Sequence, residues 1–470
     1  MSGLFGNLAN GVKALNAQSI GLQTAGRNLA NVNNASYARQ RVVFGDRGTV
    51  VTPLGPQSLG VEALAVTQIR DALLDQQVVR EIATTADLET IQSGLQKAQA
   101  GLGQSVQSAT STTTGVNGIA ETMTEFFNSF KSYAATPTDV GEKQTLIQQA
   151  GILVDRINLT DSRLVQTQSD LTTLAQSDVT EVNTILQQIA DLNIQIGRLE
   201  VSAPGSAVDL RDSRQAKLEE LATKISFETR YTPGANGQIE VYARDASNNE
   251  VTLVEMSTVT TLSLNGSTLN AGPNATDPAL ALSGGSIKGA IQTRDGAIQD
   301  LRDSLDELAN QLVTSVNATY NPSSTAGRNF FNAAGVDASS IKLETGLTAS
   351  TLVASDSGVA GDNDIASAVA NLVSKVFSTA GGDHIDGTFG QYYTNAVTGL
   401  GQSLSTVNSQ LTDQQKIEDL VTQQRDGVSG VSLDEETADL MKYQRAFEAC
   451  SRVISAIDEM LDTIVNRMGA

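Results

Sequence analysis

Along residues 432–468 the apolar positions keep a seven-residue beat. Leu440, Phe447, Ile454, Leu461 and Met468 form one row, and Tyr443, Cys450, Ile457 and Ile464 form a second, each three residues behind a member of the first. Such an a/d seam, sustained over about four heptads, predicts a helix that needs a partner helix to cover it. The opening residues offer one. Leu8, Leu15, Leu22 and Leu29 repeat at the same interval, and Val12, Ser19 and Gly26 follow four residues after each of the first three. Residues 4–33 read as one amphipathic helix whose stripe is broken by Gly11, Gly21 and Gly26. Each interior Gly costs about 1 kcal/mol relative to Ala, so this helix is marginal alone and orders on packing. Pairing the two ends turns everything between them into one long insertion.

The insertion alternates helical and extended patterns. The Asn-rich run 28–42 ends the first helix, and residues 40–66 carry Gly, Pro and short β-branched runs that predict irregular hairpins. Helical spacing resumes near Ala65 and runs to about Val106, followed by a Ser/Thr/Gly loop at 105–118 and a helix at 119–134. Residues 139–200 contain no Pro. There Leu146, Leu153, Thr160, Thr167 and Leu174 form one heptad row, and Ile157, Leu164, Leu171, Ile185, Leu192 and Leu199 another. A continuous helix of that length measures about 90 Å, which predicts an elongated molecule. After the break at Ala203-Pro204-Gly205 come a short helix at 209–224 and, over 226–282, short apolar runs. Asn236-Gly237, Asn248-Asn249 and Asn265-Gly266, with Pro233-Gly234, mark turns between those runs. Further helices are expected at 287–319, 363–379 and 391–425, with a second short β segment at 325–360 built on Phe330-Phe331 and Ile341-Lys342-Leu343.

The expected fold class is therefore mainly α. Elongated, nested coiled-coil or helical-bundle domains are formed by both chain ends, with a small antiparallel β domain inserted mid-chain. Its expected parts are a terminal helical domain (1–65 with 426–470), a long helical bundle (66–225 with 285–425) and an outer β domain (226–284, joined by 325–360).

Composition narrows the function. The 470 residues carry a net charge of −21, from 31 basic and 52 acidic residues. Binding phosphates takes clustered Lys and Arg, so nucleic acid and anionic membrane are poor partners. Cys450 is the only cysteine, which excludes an intramolecular disulfide, and its seam position reads as a small buried hydrophobe. No run of 18 apolar residues predicts membrane insertion. The first residues lack a charged n-region and an apolar h-region, so no Sec signal peptide is expected and the chain reads as cytoplasmic unless another export route is used.

Chemistry is equally sparse. His384 is the only histidine, which removes multi-His metal centres and leaves any Ser-His-Asp triad a single possible base. Asp362-Asn363-Asp364 and Asp383-His384-Ile385-Asp386 do not follow calcium-loop spacing. No GxxxxGK[ST] or GxGxxG is present. No enzyme activity, cofactor or metal is expected.

Two terminal stretches resemble a known family. Ala14-Leu15, Gln18, Gly21-Leu22, Asn28-Leu29-Ala30-Asn31 and Tyr37-Ala38-Arg39-Gln40 resemble the N-terminal motif of bacterial flagellar axial proteins, the rod, hook and hook-associated family. Val428-Ser429-Gly430-Val431-Ser432-Leu433-Asp434-Glu435-Glu436 is similar to that family's SGVNLDEE signature, and continues through Leu440, Tyr443-Gln444 and Ala446-Phe447 to Asp458-Glu459-Met460-Leu461-Asp462. In the middle, Asp209-Leu210-Arg211-Asp212-Ser213-Arg214 and Gly284-Gly285-Ser286-Ile287-Lys288-Gly289 resemble elements of the hook-associated members.

The resemblance implies a structural subunit of the flagellum at the junction between hook and filament, self-associating in a helical assembly. Hook protein, a second junction protein and flagellin are then its neighbours, and a cytoplasmic export chaperone covers the C-terminal helix before type III export without a Sec signal. Under it Leu8, Leu15, Leu22, Leu29, Leu440, Tyr443, Phe447, Ile454, Ile457, Leu461 and Ile464 are the assembly seam. Asn28, Asn31, Tyr37, Gly430, Asp434 and Glu435 shape the turns beside it. The rival readings are another axial protein (hook or filament subunit) and an elongated type III-secreted adhesin or effector.

Overall fold

The structure, a computed structural model, describes residues 2–34, 36–46, 48–52, 55–58, 60–103, 118–232, 234–357, 359 and 361–463. Ile464, Met468, Pro233 and residues 105–117 of the expected loop lie outside these.

The chain opens with α1 (Ser2–Ala30) and four short strands, β1 (Gln40–Asp46), β2 (Thr49–Thr52), β3 (Gly55–Ser58) and β4 (Val61–Gln68). Helices α2 (Ala72–Gly101), α3 (Ile119–Ala135), α4 (Val140–Glu200) and α5 (Val208–Ala222) follow. Next come β5 (Glu228–Tyr231), β6 (Ile239–Arg244), β7 (Glu250–Glu255), β8 (Thr258–Val259), β9 (Leu262–Asn265) and β10 (Thr268–Ala271). The remainder is helical again: α6 (Ser286–Asp295), α7 (Ala297–Tyr320), α8 (Asp364–Asn371), α9 (Phe389–Ser429) and α10 (Leu433–Asp462). The chain is thus mainly α with small antiparallel sheets inserted. It divides into two compact units, one of residues 1–86, 179–285 and 414–470, the other of 87–178 and 286–413.

In the first unit α1 packs along α10 and against the β1–β4 hairpin. The sheet β5-β6-β7-β8 is antiparallel throughout, and β9–β10 form a separate hairpin. Their turns fall at the Asn and Gly signals. Asn236 (φ 48°), Gly237 (φ 78°), Asn248 (φ 65°) and Gly266 (φ 64°) take the left-handed conformation those residues tolerate.

The second unit is centred on an aromatic cluster. Phe126 and Phe130 of α3 stand edge-on at 5.2 Å between centroids, and Phe330 and Phe331 close on them at 5.1–5.9 Å. Phe127 stacks on Phe389, which also meets Phe377 at 4.8 Å.

Four expectations shift. Residues 65–68 continue the expected hairpin as strand instead of starting a helix, and α2 begins only at Ala72. Pairing of β4 with β1, from Asp46↔Val61 to Gln40↔Gln68, holds Ala65–Gln68 extended. Among its described residues the segment 325–360 contains only the bridge Phe331↔Leu343. The Asn317 amide takes the place of a ladder there: its Oδ1 accepts from the N–H of Phe330 (3.0 Å) and Phe331 (2.9 Å), and its Nδ2 donates to the Phe331 carbonyl (2.9 Å). The helix expected over 363–379 stops at Asn371, and Phe377 instead exchanges two backbone hydrogen bonds with Gly387. On α4, Leu174 and Leu199 are 41% and 55% exposed. A straight helix drifts about 20° per heptad relative to a 3.5-residue repeat, so the buried row moves to Ala175, Val182, Leu186, Ile189, Asn193, Ile196 and Glu200.

Candidate assembly interface

The inward side of α10 is read directly from burial. Glu436, Leu440, Tyr443, Phe447, Cys450, Ile454, Ile457 and Leu461 are buried or half-buried at alternating intervals of three and four, while their neighbours are mostly exposed. Only Glu436 and Ile457 are fully buried. Cys450 is half-buried and free, so it is less enclosed than a core cysteine.

On α1 the most deeply buried positions are small or polar. Ala17, Gly21, Thr24, Ala25 and Asn28 are buried, and Leu8, Leu15, Leu22 and Leu29 lie half-buried beside them. Gly11 and Gly21, which in the sequence only interrupt a stripe, are where the helices meet. A Cβ on Gly21 would lie 2.8 Å from Cδ1 of Tyr443, and one on Gly11 would lie 3.1 Å from Cγ1 of Ile454. Their spacing from Ala14, Ala17 and Ala25 was the available signal, since small residues on one face permit close helix approach. Further apolar groups on the same two helices point to solvent: Phe5, Val12, Leu433, Met441, Val453 and Met460 are all about half exposed.

Where α1 ends, its backbone turns through Asn31, whose Nδ2 donates to the Arg27 carbonyl (2.9 Å). Asn28 is 1% exposed, and all four of its amide hydrogen-bonding sites are used. Its Nδ2 donates to the Gln40 carbonyl and to Oε2 of Glu436, both at 2.9 Å. Its Oδ1 accepts from the Tyr37 hydroxyl (2.8 Å) and the Gln40 N–H (3.0 Å). Arg39 completes the link to α10. Its Nε donates to Glu436 (2.6 Å), its guanidinium also pairs with Glu435, and its N–H donates to the Ser429 carbonyl (2.8 Å). Burial lowers the Arg39 pKa, but the hydrogen bonds and charges of Glu435 and Glu436 outweigh it and leave it raised.

The Asp209–Arg214 stretch joins from a third direction. The Ala38 N–H donates to Oδ1 of Asp212 (3.2 Å), and Gln40 donates to Asp209 (3.1 Å). Arg70 bridges Asp212 (2.8 Å) and the Ser36 carbonyl (2.6 Å). Burial raises the Asp212 pKa against the opposing charge of Arg70. Burial also pushes the Tyr37 phenol well up, with Asp212 and Asp209 adding to the shift.

At the entry to α10, Gly430 donates its N–H to the Asp426 carbonyl (2.8 Å), so close that a Cβ would approach that oxygen to 2.3 Å. Asp434 and Glu435 occupy the exposed first turn, where acidic charge complements the helix dipole. The three motif stretches, from residues 28–40, 209–212 and 429–439, thus meet in one polar network that locks the end of α1 to the start of α10. Among the described residues no group of three or more His, Cys, Asp or Glu could hold a metal ion, and no helix is long and apolar enough to cross a membrane.

Comparison with known proteins gives this arrangement its context. Residues 103–331 match the family model for the flagellar hook-associated protein FlgK helical domain. Residues 422–468 match the model for the flagellar basal body rod FlgEFG protein C-terminal. Flagellar hook-associated protein 1 of Bacillus subtilis is 24% identical over 520 residues, with 100% of this chain and 99% of the relative covered. The protein of the same name from Salmonella typhimurium is 23% identical over 570 residues, covering 99% and 100%. Among solved structures, the flagellar hook junction protein FlgK of Burkholderia pseudomallei superposes with a TM-score of 0.63 over 75% of this chain and 100% of that one, at 14% identity, which supports the fold.

Proposed function

The chain belongs to the flagellar hook-associated protein family, and from that premise we propose that it polymerises at the distal end of the hook as the subunit on which the filament is founded. It is a structural component of the flagellum and associates with other axial components. The finer assignment names its neighbours as further copies of itself, hook protein, a second junction protein and flagellin. An export chaperone holds α10 until the chain leaves by the type III route. We read the molecule as having no catalytic role. Residues 1–65 with 426–470 are its polymerising part, 66–225 with 285–425 its helical body, and 226–284 its outer β part.

The observation that supports this best is the incomplete burial of the paired ends. Leu440, Tyr443, Phe447, Ile454 and Leu461, together with Leu8, Leu15, Leu22 and Leu29, are only half-covered within one chain, and exposed Met441, Val453 and Met460 extend that surface. Apolar faces left this open call for neighbours, and heterologous contacts that do not close give a helical assembly. The test is Ile454→Asp in a strain lacking the chromosomal copy. The variant keeps the β5–β8 unit folded by circular dichroism, but fails to join hooks, and unattached flagellin accumulates in the medium. Normal filaments on the variant's hooks would refute the assignment.

A further inference from the structure

The first unit also encloses a cavity of about 1000 Å³ between the end of β4, α2, α5 and strands β5–β6. In a chain of charge −21 its lining is unexpected: Arg70, Arg80, Arg211, Arg214, Arg230 and Arg244 all contribute. Four of these are matched to carboxylates. Arg70 pairs with Asp75 and Asp212, Arg211 with Glu200, Arg230 with Glu240 and Glu250, and Arg244 with Glu228.

Arg80 and Arg214 form no ion pair with the described residues. Arg80 is exposed at the rim, whereas Arg214 is only 4% exposed. The Nη1 of Arg214 donates to Oδ1 of Asn193 and to the Gly237 carbonyl, both at 2.9 Å and both neutral. Its Nε and Nη2 donate to no atom of the described residues. Those two N–H groups form the edge of a guanidinium that grips a carboxylate bidentately. A structural tie between Asn193 and the Gly237 turn uses Nη1 alone and leaves that edge idle.

We propose that this cavity is a binding site for a ligand bearing closely spaced carboxylates, one gripped by the Nε/Nη2 edge of Arg214 and another by Arg80. The neighbouring pair shows the geometry: Arg211 Nε meets Glu200 Oε1 at 2.7 Å, and Nη2 meets Oε2 at 2.6 Å. Burial lowers the Arg214 pKa to about 10, with Arg211 and Arg70 adding to the shift and Tyr231 and Glu200 opposing it, and the group stays charged at neutral pH. A buried cation with only neutral acceptors is costly, and an entering carboxylate relieves that cost. The carboxylates come either from a small free polycarboxylate or from acidic side chains of a second copy of this chain. The site stands apart from the terminal helices and does not depend on the assembly reading.

The experiment titrates the full chain with citrate by calorimetry, at an ionic strength matched with chloride, using wild type, Arg80→Gln, Arg214→Gln and a control, Arg41→Gln, on exposed β1. Saturable binding is expected, lost in Arg214→Gln, about tenfold weaker in Arg80→Gln and unchanged in Arg41→Gln. Sedimentation of the same proteins separates the sources. Self-association that falls in Arg80→Gln, and that citrate competes, identifies a second copy. Citrate binding with unchanged sedimentation identifies a free ligand. Arg80→Gln leaves the buried hydrogen bonds intact and so serves even where Arg214→Gln does not fold. Citrate binding that is equal in Arg80→Gln and Arg41→Gln, or absent while sedimentation is unchanged, overturns the proposal.

Discussion

Asn28→Asp replaces one amide nitrogen by oxygen at nearly constant shape, which makes it a sharp probe of the network joining the chain ends. The Nδ2 of Asn28 donates to the Gln40 carbonyl and to Glu436, each at 2.9 Å. The substitution removes both donors and sets a carboxylate oxygen against two acceptors. Losing the bond to a charged group costs about 1.5–3 kcal/mol and losing the neutral one about 0.5–1.5 kcal/mol. Two carboxylates at this separation repel by about 6 kcal/mol at an effective dielectric of 20. The pair escapes part of that by taking up a proton. At pH 7 protonating an aspartate costs about 4 kcal/mol, or 1.36 kcal/mol for each unit above its ordinary value of about 3.9, and the protonated side chain regains one donor.

With one neutral hydrogen bond still missing, the expected penalty is about 5–6 kcal/mol at pH 7, falling to about 2–3 kcal/mol at pH 5. The sign follows from linkage. The folded pKa of the introduced carboxyl is raised, so its charge opposes folding above the ordinary value, and that opposition is relieved as pH falls through the folded value. Amide hydrogen exchange of α1 and α10, with β5–β8 as internal reference, measures the effect. It separates local opening of the ends from global unfolding. Faster exchange confined to α1 and α10 at pH 7, and much reduced at pH 5, is expected. Equal exchange in variant and wild type at pH 7, or a difference independent of pH, would show that Asn28 does not carry the junction.

Two further outcomes follow from the same unit. Gly21→Ala places a Cβ 2.8 Å from Tyr443; overpacking of about 1–3 kcal/mol exceeds the helix-propensity gain of up to about 1 kcal/mol, so the variant is less stable, whereas on a Tyr443→Ala background the same change is neutral or stabilising in urea melts. Burial raises the Glu200 pKa, but the Arg211 hydrogen bond and nearby backbone N–H groups outweigh it and leave it lowered, so its contribution is present above its unfolded value and lost as pH falls through the folded one. Asp212, raised chiefly by burial, opposes folding above its ordinary value and ceases to do so as pH falls through its raised one. Stability should thus rise slightly on mild acidification before it falls, and Glu200→Gln should flatten the acid limb of the urea midpoint against pH.

Long-period patterns were legible and the contacts between distant segments were not. The heptad rows of 139–200 and 432–468 predict helices because burial on a helix must repeat with its turn, and α4 and α10 occupy those segments. Asn-Gly steps predict turns because only certain residues accept positive φ at low cost. The α1 face was harder to see. Leucines draw attention as the natural core, yet close approach to Tyr443 and Ile454 selects Gly21 and Gly11, whose missing side chains leave no hydropathy signal. The end of strand β4 hid for a related reason: nothing local separates Ala65–Gln68 from the helix that follows, and only pairing with Gln40–Val43 of β1 keeps them extended.

The polar motifs carry the strongest lesson about the candidate site. Asn28, Tyr37 and Glu435 stand out by resemblance, but nothing local announces that Asn28 meets Glu436 or that Ala38 meets Asp212. Periodicity reports which face of an element is covered, not by what. Partners hundreds of residues apart are specified by hydrogen-bonding capacity, since a fully enclosed amide must have all four positions met. The division of labour in the paired ends follows. Apolar seam residues are only half-covered within one chain, while the buried Asn28–Glu436–Arg39 network ties the two helices in register. A polar lock is suited to that task, because a slip of a single residue would leave Asn28, Glu436 and the Gln40 backbone unsatisfied together, whereas an apolar seam tolerates displacement.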